Sequence, residues 1–219
     1  MKIKPETLKQ GAALMFGAVA LAAYLTTVLW PSRSQPVQTV SGSDTSGDMV
    51  QVYLLDEDAT LIPYTLGIEE GLDLNQKVAE VLRLMTIGNE PVQGVRGLLP
   101  NNAQLENCAL QGSQLSLYFP ENFRNYDPKT EMRLLEGLTW AVTQFDEVSE
   151  VLLYLAGEPL THMPQLSTPV PMPLNRQIGI NNFENTVNRL HDSHSLTVFY
   201  TRQKNGSSVY VPKTLRISN

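Results

Sequence analysis

The sequence predicts an α+β fold: a two-layer domain whose mixed or antiparallel sheet is covered by two amphipathic helices, preceded by one transmembrane helix. Three observations lead there. Between residues 50 and 157, strand-like and helix-like segments follow in the order strand, strand, helix, strand, strand, helix, strand. Both helical segments carry an apolar stripe opposite a polar face. Residues 11–30 form a run of 20 residues without a charge, which as a helix rising about 1.5 Å per residue spans roughly 30 Å of hydrocarbon.

The charge ahead of that run sets its expected orientation. Lys2, Lys4 and Lys9 outweigh Glu6, so residues 1–10 are expected in the cytoplasm and everything after Trp30 outside. A cleavable signal peptide is the rival reading. The apolar run is long for one, and Leu29-Trp30-Pro31-Ser32-Arg33 offers no small-x-small cleavage site, so an uncleaved anchor is expected. Residues 31–49 are rich in Ser, Gly, Pro, Thr and Gln. They have too little apolar surface to offset their ordering entropy, and are read as a flexible linker. Cys108 is the sole cysteine, so no disulfide can form within the chain and the core must hold the ectodomain together.

The domain is expected over residues 50–160. Val50-Gln51-Val52-Tyr53-Leu54-Leu55 and the segment from Leu61 to Ile68 read as strands around the polar turn Asp56-Glu57-Asp58-Ala59-Thr60. A helix follows, capped by Asp73. Its stripe is Leu74, Val78, Val81, Leu82 and Met85, and Gly88 suits the left-handed position at its end. Gly94-Val95-Arg96-Gly97-Leu98-Leu99-Pro100 reads as a loop folded over the core. Residues 104–110 and 114–119 flank the turn Gln111-Gly112-Ser113. The second helix is expected to be capped by Asp127, to start at Pro128 and to end near Asp146-Glu147. Its stripe is Met132, Leu135, Leu138, Val142 and Phe145, with Leu134 and Trp140 at the margins. Val151-Leu152-Leu153-Tyr154-Leu155 suits a central strand. Prolines 159, 164, 169, 171 and 173 then rule out regular structure, so residues 161–194 are expected to be an inter-domain segment, linker-like or extended on the domain surface. Within it, residues 183–190 are expected to form a short helix.

The last segment repeats the first. Val52-Tyr53-Leu54-Leu55, a polar turn and Leu61-Ile62-Pro63-Tyr64-Thr65-Leu66-Gly67-Ile68 are matched by Val198-Phe199-Tyr200-Thr201, a polar turn and Tyr210-Val211-Pro212-Lys213-Thr214-Leu215-Arg216-Ile217. The shared Pro-x-Thr-Leu-x-Ile lies at an offset of 149 residues, 212 minus 63. Such self-similarity points to a modular build in which residues 195–219 begin a second, incomplete repeat.

The hairpin ending Ile62-Pro63-Tyr64-Thr65, the loop Gly97-Leu98-Leu99-Pro100, the strand Leu115-Ser116-Leu117-Tyr118-Phe119, the helix through Gly137-Leu138-Thr139, and Val151 to Pro159 together resemble the GerMN domain family of sporulation and spore germination proteins. The resemblance covers roughly half the chain and rests on an ordered pattern without a catalytic signature. It implies a small wedge-shaped α+β domain, similar to the ring-building motifs that pack side by side in secretion and sporulation channels. Residues 175–219 resemble the inter-domain segment and opening hairpin of a second such domain. The sequence departs from the family pattern in two ways. A helix replaces the lipid-modified N-terminal cysteine as expected anchor, and nothing follows the second hairpin. Because an isolated two-stranded hairpin is marginal in water, the expectation is a fragment, and next to it a hairpin docked on the first domain.

His191-Asp192-Ser193-His194 places two imidazoles three residues apart, but no further His or Cys completes a metal set locally, and a solvated turn is the better reading. His162 reads as exposed among prolines. Cys108 reads as a packing residue without an activating His. Asp56, Glu57 and Asp58 lack the spacing and glycine of a calcium loop and read as a solvated turn. Glu69 and Glu70 suit a helix N-terminus. Gly94-x-x-Gly97 lacks the lysine of a phosphate cradle. No catalytic, cofactor-binding or metal site is expected, and no cofactor.

Charge excludes one class of partner. The chain carries −6 in total, and from residue 34 onward 12 basic residues face 21 acidic ones, giving −9, so no nucleic acid is expected. The expectation is a non-enzymatic, single-pass membrane protein of the bacterial cell envelope with its C-terminal domain extracytoplasmic. Its expected partners are the membrane and other envelope or sporulation-complex proteins, self-association included. The alternative is a binding module for peptidoglycan or another wall component.

Overall fold

The computed structural model describes residues 47–182, 193–204 and 207–218. The expected membrane helix at 11–30, the linker up to residue 46 and the expected short helix at 183–190 lie outside the described residues. Among the described residues, no helix is long and apolar enough to cross a membrane.

The order of elements follows the sequence pattern. Strands β1 (Asp48–Leu55) and β2 (Leu61–Ile68) form an antiparallel hairpin. Helix α1 (Leu74–Leu84) begins at Asp73, whose carboxylate accepts from the Gln76 N–H while the Gln76 side chain accepts from the Asp73 N–H. This reciprocal box satisfies two of the orphan donors of the first turn. Strands β3 (Asn107–Gln111) and β4 (Gln114–Phe119) join through Gly112, whose φ of +61° is the left-handed conformation such a tight turn needs. Helix α2 (Glu131–Val142), strand β5 (Glu150–Leu155) and the two-residue strand β6 (Glu158–Pro159) complete the domain.

The strands do not make one sheet. β1 and β2 pair only with each other, whereas β3-β4-β5-β6 form a separate mixed sheet in which β4 and β5 are parallel. The outer edge of β1 is occupied. At Leu55, N–H and C=O both bond to Arg96 (2.8 and 2.7 Å), and at Gln51 they bond to the Gln144 side chain (2.6 and 2.9 Å). These bonds cap two positions of the edge that β1 would otherwise present to a neighbouring strand. One hydrophobic core still runs through both sheets and both helices, from Val52, Leu54 and Ile62 to Leu115, Leu117, Val151 and Leu153.

Both helix ends differ from expectation, for identifiable reasons. α1 stops at Leu84 and not at Gly88, because the Met85 carbonyl accepts from Leu98 and Leu99 (2.7 and 3.1 Å) and Ile87 donates to Leu99 (2.8 Å). Gly88 does adopt a left-handed φ of +90°, but beyond the helix end, which tertiary backbone bonds close instead. Gly97 makes this approach possible: a Cβ there would stand 2.5 Å from the Thr86 carbonyl carbon and 2.6 Å from the Ile87 nitrogen. At the second helix, Asp127 caps a 3-10 turn (Pro128–Thr130) before α2 proper begins, and α2 ends at Val142. Thr139 and Thr143 send their hydroxyls back to the carbonyls four residues earlier, both at 2.7 Å, a pattern that weakens helix propagation.

α2 is also buried on nearly every side, including Glu131, Arg133 and Glu136. The expected wet face is covered by the proline-rich segment, which lies on the domain and not away from it. Leu160 donates to Leu153, Leu174 exchanges two backbone bonds with Val151, and Met163, Val170, Leu174, Ile178 and Ile180 are buried. The chain closes with β7 (Ser193–Lys204) and β8 (Ser207–Ser218), an antiparallel hairpin lying against β2.

Candidate functional site

The two hairpins share one register. Tyr53 faces Pro63 in the first, and Phe199 faces Pro212 in the second. By that register Val50, Val52, Leu54, Leu66 and Ile68 correspond to Leu196, Val198, Tyr200, Leu215 and Ile217. In the first hairpin these side chains are at most 9% exposed, beneath α1 and α2. In the second they are exposed by 49, 36, 38, 40 and 53%. A face with the pattern of a core therefore stands open.

The second hairpin is joined to the first through its equivalent positions. Arg202, which corresponds to Asp56, bonds that carboxylate at 2.6 Å and also pairs with Asp58. Asp56 is buried, and its other oxygen accepts from the Asp58 and Thr60 amides at 3.0 and 2.9 Å. The Asp56-Glu57-Asp58 turn is thus half of an inter-hairpin ion pair, which corrects the expectation of a solvated turn.

Asn181 forms the second joint. It is wholly buried, with φ of +51°. Its carboxamide accepts from the Leu61 N–H (2.7 Å) and donates to the carbonyls of Leu61 and Pro212 (both 2.8 Å). One side chain thereby satisfies peptide groups at the start of β2 and within β8, groups whose burial without partners is costly. Beside it, the Ile180 N–H donates to Thr214 Oγ1, and the Thr214 N–H donates to the Ile180 carbonyl.

Helix α2 holds this junction from below. Glu136, fully buried, accepts from Arg133, from the Asn181 amide (3.0 Å) and from the Asn182 amide (3.4 Å), while Arg133 also donates to the Asn182 carbonyl. Burial pushes the Glu136 carboxyl up, against the pull of Arg133 and the two amides. Trp140 Nε1 donates to the Gly179 carbonyl at 2.8 Å, with the Arg176 guanidinium 4.8 Å above the ring.

A third buried carboxylate organises the loop at 162–169. Glu131 accepts from the amides of Gln165, Leu166 and Thr168 at 3.2, 3.0 and 3.3 Å, and from Tyr126 Oη at 2.5 Å. Burial alone would push Glu131 up. The hydrogen bonds from Thr168, Tyr126 and Leu166 outweigh it and hold the carboxyl below its ordinary value. The loop tip carries Leu166, 62% exposed.

The remaining sequence candidates settle into structural roles. Cys108 is buried, 3.9 Å from the Asn75 carbonyl, and burial followed by the Asp73 carboxylate pushes its thiol up, away from nucleophilic use. His162 is exposed beside Thr161. His191 and Asp192 lie outside the described residues, and His194 is placed in β7 opposite Ile217. In the Gly94-x-x-Gly97 loop, the amide of Gly97 donates to Glu90 at 2.8 Å. Among the described residues no cluster of three His, Cys, Asp or Glu could hold a metal. A cavity of about 470 Å³ runs between α1 and the chain entering β3, floored by Ala79, Leu82, Leu99 and Ala103.

Asn181, Glu136 and Arg202 were missed by the sequence reading, although each left a signal. Glu136 interrupts the apolar stripe between Leu135 and Leu138, and Asn181 follows Gly179-Ile180 out of the proline run. Arg202 stands where the first hairpin has Asp56, a charge reversal between repeats.

The module, its hairpin register and its junction define an α+β build shared with known proteins. A family model described as Germane, sporulation and spore germination, matches residues 51–161, and the chain belongs to that family. It is similar to the spore germination protein GerM of Bacillus subtilis (strain 168), 28% identical over 200 residues, which are 89% of this chain and 54% of that protein. The chain thus spans about half the length of the curated relative it matches. Among solved structures, the tandem GerMN domains of the sporulation protein GerM from Bacillus subtilis match with a TM-score of 0.71 and 29% identity, covering 78% of this chain and 61% of that one. The first GerMN domain of the same protein matches with a TM-score of 0.55 and 24% identity, over 59% of this chain and 98% of that one, and supports the fold alone.

Proposed function

We propose that the chain is a non-enzymatic, membrane-anchored extracytoplasmic protein that works by association, in a sporulation, germination or cell-envelope complex. The observation that carries this reading is the open apolar face of the second hairpin, where Leu196, Val198, Tyr200, Leu215 and Ile217 stand exposed at positions whose equivalents are buried in the first, while Val211, the equivalent of Ile62, is itself buried. Residues 195–219 are on this reading the opening of a second GerMN-like repeat, and that face is where its own helical layer would pack. Residues 11–30 serve as the anchor, with the N-terminus cytoplasmic.

The chemistry of the described residues supports association over catalysis. Its buried carboxylates, Asp56, Glu131 and Glu136, are each engaged by backbone amides or a guanidinium and hold loops or the junction in place. Sedimentation velocity and chemical cross-linking of the full chain in detergent micelles test the reading. Concentration-dependent association, or capture of an envelope protein, is the expected result. A strict monomer that co-sediments with purified cell wall overturns it.

A wall-binding module is the second reading, favoured by one observation. Tyr118 and Tyr154 stack with ring centroids 4.6 Å apart on the sheet surface opposite the core, half-exposed beside the hydrogen-bonded Gln114 and Glu150. Amphipathic rings on an open face suit a partner that is both apolar and polar. Loss of wall co-sedimentation in Tyr118→Ala would favour it.

A further inference from the structure

We infer that the solvent face of the mixed sheet docks a basic, extended segment of another protein. This names a partner chemistry for the association reading above and rests on it. In β4 and β5 the side chains of Leu115, Leu117, Val151 and Leu153 are buried in the core. Gln114, Ser116, Tyr118, Glu150, Leu152 and Tyr154 alternate with them and form the opposite face, each half-buried.

The register gives that face a trough. Tyr118 pairs with Tyr154 and Tyr154 with Pro159 of β6, and the two rings stack with centroids 4.6 Å apart to make one wall. Gln111, Gln114 and Glu150 stand in a second row and make the other wall, with Gln114 Nε2 donating to Glu150 at 3.1 Å. Between them lies the row Ala109, Ser116 and Leu152, whose first two members are small. At about 3.3 Å per residue the walls stand roughly 13 Å apart at the backbone, and three strands make the trough about 10 Å long. It takes about three residues of an extended chain laid across the sheet.

Charge selects the occupant. Residues 105–119 and 144–161, which build the sheet and its turns, hold five acidic residues, Glu106, Asp146, Glu147, Glu150 and Glu158, and no basic one. The adjoining segment 120–130 leaves that sum unchanged, because Glu121 and Asp127 balance Arg124 and Lys129. The next cations along the chain are engaged: Arg96 pairs with Asp127, Arg133 pairs with Glu136, and Arg176 lies over Trp140 and donates to Thr143. An anionic membrane surface or polymer is therefore repelled, and a neutral wall glycan gains nothing from the acids. A lysine or arginine matches the whole face. Its alkyl stem lies along Leu152 and the tyrosine rings while its cation reaches Glu150.

The acids contribute mainly to encounter and choice of partner, and the footprint is small beside a stable interface. The contact therefore serves a partner already held nearby, where effective concentration compensates for weak affinity.

Isotope-labelled full chain in non-ionic detergent micelles is titrated with an amidated hexapeptide that alternates lysine with serine and leucine. The amides of Tyr118, Leu152 and Tyr154 are followed by NMR and are expected to shift. Acetylating the lysines removes their charge and is expected to weaken binding about fivefold or more. Glu150→Lys is expected to weaken it by about as much, and Ser116→Trp, which fills the trough, to abolish it. Glu70→Lys, a change at an exposed acid between β2 and α1, is expected to leave it unchanged. Amides that do not respond to the peptide, equal binding of its acetylated form, or shifts that survive both Glu150→Lys and Ser116→Trp overturn the inference. So does a response to an N-acetylglucosamine oligomer but not to the lysine peptide, which assigns the face to the wall reading. Each of these leaves the association reading in place, because sedimentation and cross-linking read it separately. A strict monomer that co-sediments with cell wall overturns both.

Discussion

Asp56 and Arg202 stand at the same position in two copies of one hairpin, and they are ion-paired to each other at 2.6 Å. The repeats have diverged to opposite charge where they meet. Two first hairpins meeting in this way would oppose two carboxylates, so the charge reversal favours the unlike pairing seen here. β2 lies against β8, and Asn181 ties the peptide groups of both strands. The second hairpin is therefore a docked part of the folded unit, which answers the expectation that an isolated hairpin would be marginal.

Asn181→Ala removes three hydrogen bonds to buried peptide groups and leaves a left-handed backbone without an asparagine. A loss of about 3 kcal/mol is expected in urea unfolding, from unsatisfied peptide groups together with backbone strain. Hydrogen exchange at the Leu61 amide should accelerate in the same variant, because its acceptor is the deleted carbonyl oxygen.

Glu131 makes the 162–169 loop sensitive to acid. Its folded pKa lies below the ordinary carboxylate value, so the unfolded state binds the proton more readily. The stability it contributes is fully present above the unfolded value of about 4.3 and is lost as pH falls through the lower folded value. Exchange of the Leu166 and Thr168 amides, compared between pH 5 and acid, should show the loop opening. Glu131→Gln should remove that pH dependence and leave the loop weakened throughout.

Gly97→Ala places a methyl group within 2.8 Å of three backbone atoms, at Met85, Thr86 and Ile87. Backbone cannot rotate away as a side chain tip would. A cost of about 2–3 kcal/mol is expected, the upper range for overpacking, measurable as a lower urea midpoint with unchanged slope.

The α+β class and the element order were legible because they rest on local signals: alternation in Leu115, Leu117 and Phe119, helical spacing in Val78, Val81 and Met85, and the capping residues Asp73 and Asp127. What was not legible depends on contacts distant in sequence. Gly88 looked like a helix end until Leu98 and Leu99 took the Met85 carbonyl. Residues 161–194 read as a linker or as an extended segment on the domain surface because prolines break local periodicity, and the burial of Met163, Leu174 and Ile180 decides for the second. Asp56 looked solvated because its partner, Arg202, lies 146 residues away. The duplication was visible as Pro-x-Thr-Leu-x-Ile, but not the fact that the two copies touch.

A double-mutant cycle between Asp56 and Arg202 tests the docked repeat most directly. Asp56→Asn, Arg202→Gln and the double variant are unfolded in urea, and the non-additive part is read. A coupling of about 1–2 kcal/mol is expected for a pair with one buried and one partly exposed partner. Additive effects, with coupling indistinguishable from zero, would contradict the docking of the second hairpin onto the first.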